Sequence, residues 1–225
     1  MLKHILVIPD GNRRYAKERN CSLQEIYDYA IIELTTKLLK FFLIEKNIPE
    51  VTIYGISLNN ILKRKAEELE PIFKPQIKAY KKWLTDNDFK NAQVAFRFFG
   101  EIEKLPKNYK KIIKELEAAA PKKPKKMCNL LVGYDAEAEI VNAINCAQKN
   151  KGRISQEKLR DFLQLKTPID VVFRSGYEKR LSGAPLIQSS QAELIFADYY
   201  YPELNKKRME GIIEEYNNRK RRHGQ

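Results

Sequence analysis

Apolar positions along the chain follow two alternating patterns. Short apolar runs recur at residues 4–8, 51–56, 93–99, 127–132 and 169–173, and longer segments with helical spacing separate them. Short runs of this kind predict strands, and strands alternating with helices predict a mostly parallel sheet. Ile26, Ala30, Leu34, Leu38, Phe41 and Phe42 fall at helical intervals, as do Leu69, Ile72, Phe73, Ile77, Tyr80 and Leu84. Each set predicts an amphipathic helix. Pro71 and Pro75 predict that the second helix either starts near them or bends, because proline lacks the backbone donor and clashes with the preceding turn. Residues 120–126, with two prolines among lysines, read as an exposed connector. No internal repeat is present. A chain of 225 residues can bury one substantial core. The expectation is therefore one α/β domain over residues 1–225, with a mostly parallel central sheet flanked by helices.

Composition narrows the partners more than the fold. With 43% hydrophobic and 32% charged residues the chain is too apolar for a disordered protein. A formal charge of +13 favours an anionic partner: a phosphorylated small molecule, membrane headgroups or nucleic acid. Cys21, Cys128 and Cys146 are far apart, with neither disulfide nor thiolate-zinc spacing, which fits a reducing compartment. The apolar start is too short for a secretory core, and Lys37, Lys40 and Glu45 interrupt the longest hydrophobic stretch. A cytoplasmic location is expected, with peripheral membrane contact as a further expectation.

The first chemistry-bearing segment follows the first strand. Ile8 runs into Pro9, Asp10, Gly11, Asn12, Arg13 and Arg14, and a helix is expected from Tyr15 onward. Unpaired amides at a helix start, a glycine that lets the chain approach closely and arginines with bidentate donors together suit phosphate. A carboxylate at Asp10 would repel an anion unless a divalent cation such as magnesium bridged the two. The same residues also read as an Asp-Gly turn carrying two exposed arginines, and taken alone they leave both readings open. The second segment follows the strand at 169–173 and gathers Arg174, Glu178, Arg180 and Ser182 at its carboxyl end, where open parallel sheets bind ligands. Two arginines and a hydroxyl can hold a diphosphate, and Glu193 is a further hard carboxylate. Individually, Arg174 with Glu178 reads as a surface ion pair and Glu193 as a solvent-facing helix residue.

Together the two segments resemble a known family. PDGNRRYA resembles the signature DGNGRWA of the cis-prenyltransferases, the undecaprenyl diphosphate synthase family. Arg174, Gly176, Glu178, Arg180, Ser182, Gln188, Glu193 and Leu194 match its second signature, RTGGExRxSxFxxWQxxxxEL. The resemblance implies that Asp10 holds Mg2+, and that Gly11, Asn12, Arg13 and Arg14 lie in the cradle of the allylic diphosphate. It implies that Arg174, Glu178, Arg180 and Ser182 hold the second isoprenoid diphosphate, with Glu193 shared with the metal of a partner subunit. Ser57 and Asn60 resemble the family's residues near the reacting carbons, though they equally read as a capped helix start. Arg222, His223 and Gly224 resemble the RxG tail that completes the partner's diphosphate site. The apolar helices would then line a tunnel for the growing chain. A homodimer is implied, or a heteromer in which this chain could even be a non-catalytic subunit. A nucleic-acid-binding module is the contrasting class, but no aromatic and basic recognition motif supports it.

The chain departs from the pattern at several positions. Arg13 replaces a glycine, Leu23 and Tyr27 replace arginine and histidine, and Ile61 and Lys63 replace tryptophan and arginine. Tyr177 stands where the second signature has its second glycine, and Ala184 also departs. The DGxRR arrangement followed by SLxxxY resembles the branch that makes irregular, branched couplings, such as lavandulyl-type diphosphate synthases. Glu178 and Asn60 match the regular elongating enzymes instead.

Overall fold

The structure, a computed structural model, describes residues 1–149 and 155–219. Six strands form one sheet: β1 (His4–Ile8), β2 (Glu50–Ser57), β3 (Val94–Phe99), β4 (Lys126–Tyr134), β5 (Val171–Arg174) and β6 (Glu193–Phe196). Their order is β3-β4-β2-β1-β5-β6, and every pair is parallel. The five strands read from the sequence are present, with ends moved by up to two residues at most boundaries. The sixth was not expected. It is a four-residue edge strand with Leu194 exposed, too short and too one-sided to register as an apolar run. The segment between β5 and β6 holds no helix, so the crossover is itself the loop carrying the second signature.

Alternation along each strand separates two cores, as the pleat requires. Ile5, Val7, Val51, Ile53, Phe96 and Phe173 join the larger cluster. Leu6, Ile8, Tyr54, Leu131 and Val172 join a smaller one on the other face. Helix α1 (Asn12–Glu18) follows β1. The helical run after it, α2, alternates α-helical Leu23–Tyr27 and Thr35–Leu39 with π-helical Asp28–Leu34 and Lys40–Glu45. The Thr35 hydroxyl donates to the carbonyl of Ala30 at 2.9 Å, five residues back. Helix α3 (Leu58–Lys63) is capped by Ser57, whose hydroxyl accepts from the Asn60 amide. Helix α4 (Ala66–Thr85) begins five residues before Pro71 and continues through both prolines, so the prolines do not mark its start. Helix α5 (Lys107–Ala118) packs on it. Helix α6 (Ala136–Lys149) follows β4, and α7 (Lys206–Asn218) follows a short turn after β6. Among the described residues no helix is long and apolar enough to cross a membrane.

At the end of the sheet away from the helix starts, a buried polar net ties three strands, β1, β2 and β4, to the segment before β5. His4, 2% exposed, lies 2.9 Å from the carbonyl of Pro168 through Nδ1 and 2.7 Å from the Thr52 hydroxyl through Nε2. Asn129 donates to Thr52 and to Glu50. Because the carbonyl can only accept, Nδ1 carries the proton and Nε2 accepts from Thr52, which is the neutral ring. Burial lowers the His4 pKa below its usual 6.5, against Glu50, the Pro168 carbonyl and Asp170, which favour the charged form. The unfolded ring therefore takes up its proton at a higher pH than the folded one. Stability from this site is complete above about pH 6.5 and is lost as the pH falls below it toward the folded pKa. Between pH 7.5 and 5.5 the melting temperature should fall more steeply for the native chain than for His4→Gln, and equal slopes would contradict the assignment.

Candidate active site

A cavity of about 980 Å³ opens at the carboxyl ends of β1, β2, β4 and β5. Its mouth is polar: Asp10 comes from the β1–α1 turn and Asn12, Arg13 and Arg14 from the first turn of α1, Ser57, Asn60 and Arg64 from the end of β2 through α3, and Arg174, Arg180 and Ser182 from the end of β5 and the loop after it. Its interior is apolar, walled by Ala30 and Ile31 of α2, Ile53 and Ile56 of β2 and Ile72, Tyr80 and Trp83 of α4. Five arginines line the space, against two carboxylates, Asp10 and Asp135. Such an excess in a concave, partly dry site favours an anion at the mouth.

The turn after β1 is fixed from several directions. The Asp10 amide donates to the Ser175 hydroxyl at 3.1 Å, that hydroxyl donates back to the Asp10 carbonyl at 3.0 Å, and the Tyr201 amide donates to the same carbonyl. Gly11 has φ +97°, and a β-carbon there would run into the Tyr200 ring. Gly176, at φ +91°, lies so close that its β-carbon would sit 2.9 Å from the Asp10 carbonyl carbon. Only glycine accepts both conditions. The Asp10 carboxylate accepts from the Gly11 amide at 2.6 Å and from Arg174 Nη2 at 2.7 Å, with Arg14 at 3.5 Å.

Arg174 joins the two signatures. It is 4% exposed, and its fork reaches Asp10 with one nitrogen and the Ser182 hydroxyl, at 2.7 Å, and the Arg180 carbonyl with the other. Its Nε and the Asn12 Oδ1 are buried without a hydrogen-bond partner. A donor and an acceptor left open in one cavity suit a ligand or water rather than a finished core. Arg14 pairs with Glu178 at 3.1 Å, and Arg180 pairs with the other oxygen of the same carboxylate. Arg13 lines the mouth and pairs loosely with Glu68 at 3.9 Å.

Most of the sequence-predicted residues converge here, while Glu178 and Glu193 do not line the cavity of a single chain. Glu178 was expected to bind substrate, yet it does not line the cavity; it sits between two arginines and orients them. Glu193, expected to share the metal of a partner subunit, stands away from Asp10 within one chain. Register sets Ile5 opposite Val171 and Val171 opposite Glu193. Glu193 is thus level with Ile5, about 10 Å short of the end of β1 and two strands away, paired with Arg219 at 2.8 Å. Ser57 caps the helix by accepting from the Asn60 amide, and both residues line the cavity. Arg222 and Gly224 lie outside the described residues.

Sequence reasoning missed Arg64, Tyr54 and Asp135. Lys63 is exposed, and it is Arg64, one residue on, that turns into the cavity; the only sequence signal was the basic triplet 63–65. The Tyr54 hydroxyl shares its single proton between the carbonyls of Ser182, at 3.0 Å, and Tyr134, at 3.2 Å. It thereby holds the second loop against the strand ends, and burial pushes its pKa up. Asp135 caps α6 through Glu137 and Ala138 amides while facing the cavity.

Comparison with known proteins fits this geometry. The sequence profile described as putative undecaprenyl diphosphate synthase matches residues 8–224. The chain belongs to this prenyltransferase family. A tritrans,polycis-undecaprenyl-diphosphate synthase (geranylgeranyl-diphosphate specific) from Pyrobaculum aerophilum is 35% identical over 98% of this chain and 95% of its own length. The crystal structure of a probable undecaprenyl diphosphate synthase from Campylobacter jejuni superposes with TM-score 0.79 at 27% identity, covering 100% of this chain and 99% of that one. Lavandulyl diphosphate synthase from Lavandula x intermedia, solved in complex with dimethylallyl diphosphate, gives TM-score 0.88 over 100% and 98% of the two chains. At 21% identity it shares the fold.

Proposed function

We propose that this prenyltransferase transfers an allylic prenyl group onto a second isoprenoid diphosphate in a magnesium-dependent, cis-type elongation that releases pyrophosphate. The observation that carries the proposal is the continuity of the cavity, from an arginine-rich mouth around Asp10 to an apolar interior under α4. In the proposed reaction the allylic C–O bond breaks and pyrophosphate leaves with its electron pair. The alkene of the second diphosphate bonds to the allylic carbon, and a proton is lost to restore a double bond. Arg14 offers charged donors to the departing oxygens, Arg174 belongs to the site of the second diphosphate, and such donors act most strongly in a site sheltered from water. Arg180 and Ser182 face the second diphosphate, while Ser57 and Asn60 stand beside the reacting carbons. The apolar interior holds the hydrocarbon and keeps water from the cation.

Magnesium fits the donor set. The Asp10 carboxylate is 32% exposed and spends one strong hydrogen bond on each oxygen, so lone pairs remain, and Asn12 Oδ1 is an open acceptor. Magnesium commonly binds one or two carboxylates together with substrate phosphate oxygens and water. When bound, it would draw negative charge onto the leaving pyrophosphate. A second carboxylate such as Glu193 would have to come from another copy of the chain, which is how the homodimer belongs to this reading. Action in the cytoplasm, at a membrane surface that takes up the product, completes it.

Regular elongation is favoured over irregular coupling because the relatives above 30% identity carry elongating names. The Pyrobaculum relative's printed specificity makes geranylgeranyl diphosphate the first primer to try. The test is incubation of the protein and magnesium with labelled isopentenyl diphosphate and allylic primers of several lengths, with separate incubation on dimethylallyl diphosphate alone. Chain-elongated product that requires magnesium supports the proposal. Branched product from dimethylallyl diphosphate alone would assign the irregular reaction, and no product with any primer would sink the catalytic reading.

A further inference from the structure

Tyr177 is the least economical residue near the mouth. Its backbone is left-handed, with φ 65°, at the position where the second signature carries glycine. A bulky residue in that conformation costs on the order of 1 kcal/mol or more that glycine would not. Burial offsets little of this, because the side chain is 49% exposed. What the ring does touch is Tyr200, edge to face, with centroids 5.0 Å apart and planes at 68°.

Tyr200 in turn packs against the first cradle at Gly11 and Arg14. Its ring fills the space that a Gly11 side chain would need, and the Arg14 guanidinium lies over it at 5.7 Å. Tyr15 meets it from the helix side at 6.2 Å, and the Tyr200 hydroxyl donates to Glu18. The backbone around Tyr177 is pinned to the same segment, through Gly176 N to the Tyr199 carbonyl at 2.7 Å and Tyr177 N to the Ala197 carbonyl at 3.2 Å. The residue after Tyr177 is Glu178, the ion-pair partner of Arg14. Tyr177 therefore joins Arg14 and Tyr15 in bracketing Tyr200, and its backbone turn delivers the Glu178 carboxylate that pairs with Arg14.

We propose that Tyr177 is a positioning residue, which holds Tyr200 and through it Arg14 in the geometry that receives an anionic diphosphate. The proposal rests on the reading of Arg14 as a diphosphate ligand, and its test separates the two. Pyrophosphate affinity, measured by calorimetry, and KM for the allylic primer are compared in Tyr177→Gly, Tyr177→Phe and Arg14→Ala, with the melting temperature of each. Tyr177→Gly should weaken pyrophosphate binding and raise KM about three- to tenfold, the scale of one aromatic pair. Its melting temperature should stay within a few degrees, because relief of the strained turn compensates for the lost contact. Tyr177→Phe keeps the ring and should restore both constants. Unchanged constants in Tyr177→Gly, with Arg14→Ala impaired, would overturn the positioning role alone. Equal impairment of the Gly and Phe variants would also overturn it, because the ring would then not be the acting part. Unchanged pyrophosphate affinity in Arg14→Ala would remove the parent reading, and this inference with it.

Discussion

Asp10→Asn is expected to lower turnover by on the order of a thousandfold with the fold intact, whereas Asp10→Ala is expected to lose both turnover and stability. The difference follows from the double duty of the carboxylate. Toward the cavity it offers the hard oxygen that a magnesium–diphosphate complex needs; toward the protein it neutralises Arg174, which is 4% exposed. Asparagine keeps an oxygen for the Gly11 amide or the guanidinium while losing the charge that binds the metal. Alanine leaves the buried guanidinium with only the Ser182 hydroxyl and the Arg180 carbonyl. Breaking a buried pair costs about 3–5 kcal/mol, and the partial exposure of Asp10 puts this case nearer about 2–3. For a chain of this length that is a fall of roughly 5–10 °C in melting temperature. Product formation by Asp10→Asn at the native rate, in buffer containing a chelator, would remove the catalytic assignment of the cavity.

What the sequence disclosed depended on whether the responsible residues are neighbours in the chain. β1 to β5 were legible because strands covered on both faces read as continuous apolar runs. β6 was not, because it is four residues long and its edge position leaves Leu194 in solvent. The helical character of residues 23–45 was legible, but its π turns were not. They shift the register by less than one residue per turn, and what marks one of them is the Thr35 bond to Ala30 five residues back. The site divides in the same way. Asp10 to Arg14 and Arg174 to Ser182 are contiguous stretches, so their chemistry appears on reading. Tyr54, Arg64 and Asp135 belong to three separate elements and meet only because β2 and β4 end at the same level of the sheet. Glu178 and Glu193 show the converse limit: residue type and spacing mark them as charged members of a motif, but only the fold shows that within one chain Glu178 pairs with Arg14 and Arg180, and Glu193 with Arg219.

Arg174 should be the most sensitive position in the chain for binding and folding together. Its guanidinium spans both signatures, with Asp10 on one nitrogen and the 180–182 turn on the other, and its third nitrogen is buried and open. Lysine cannot reproduce this planar fork, so Arg174→Lys should weaken pyrophosphate binding by on the order of tenfold to a hundredfold, the worth of a charge-assisted hydrogen bond or two. It should also lower the urea midpoint. Arg174→Met removes the charge altogether and frees the loop after β5, leaving Asp10 to repel the diphosphate it should help bind, so a larger loss of affinity is expected. The decisive measurement is a double-mutant cycle on stability with Asp10→Ala and Arg174→Met. If the two side chains act as one bridge, the double variant should be at least about 1 kcal/mol more stable than the sum of the single losses allows. Additive losses would mean that the bridge does not hold the two signatures together, and the common cradle would have to be rebuilt from Tyr54 and Ser175, the other hydroxyls that tie the loop to the strand ends.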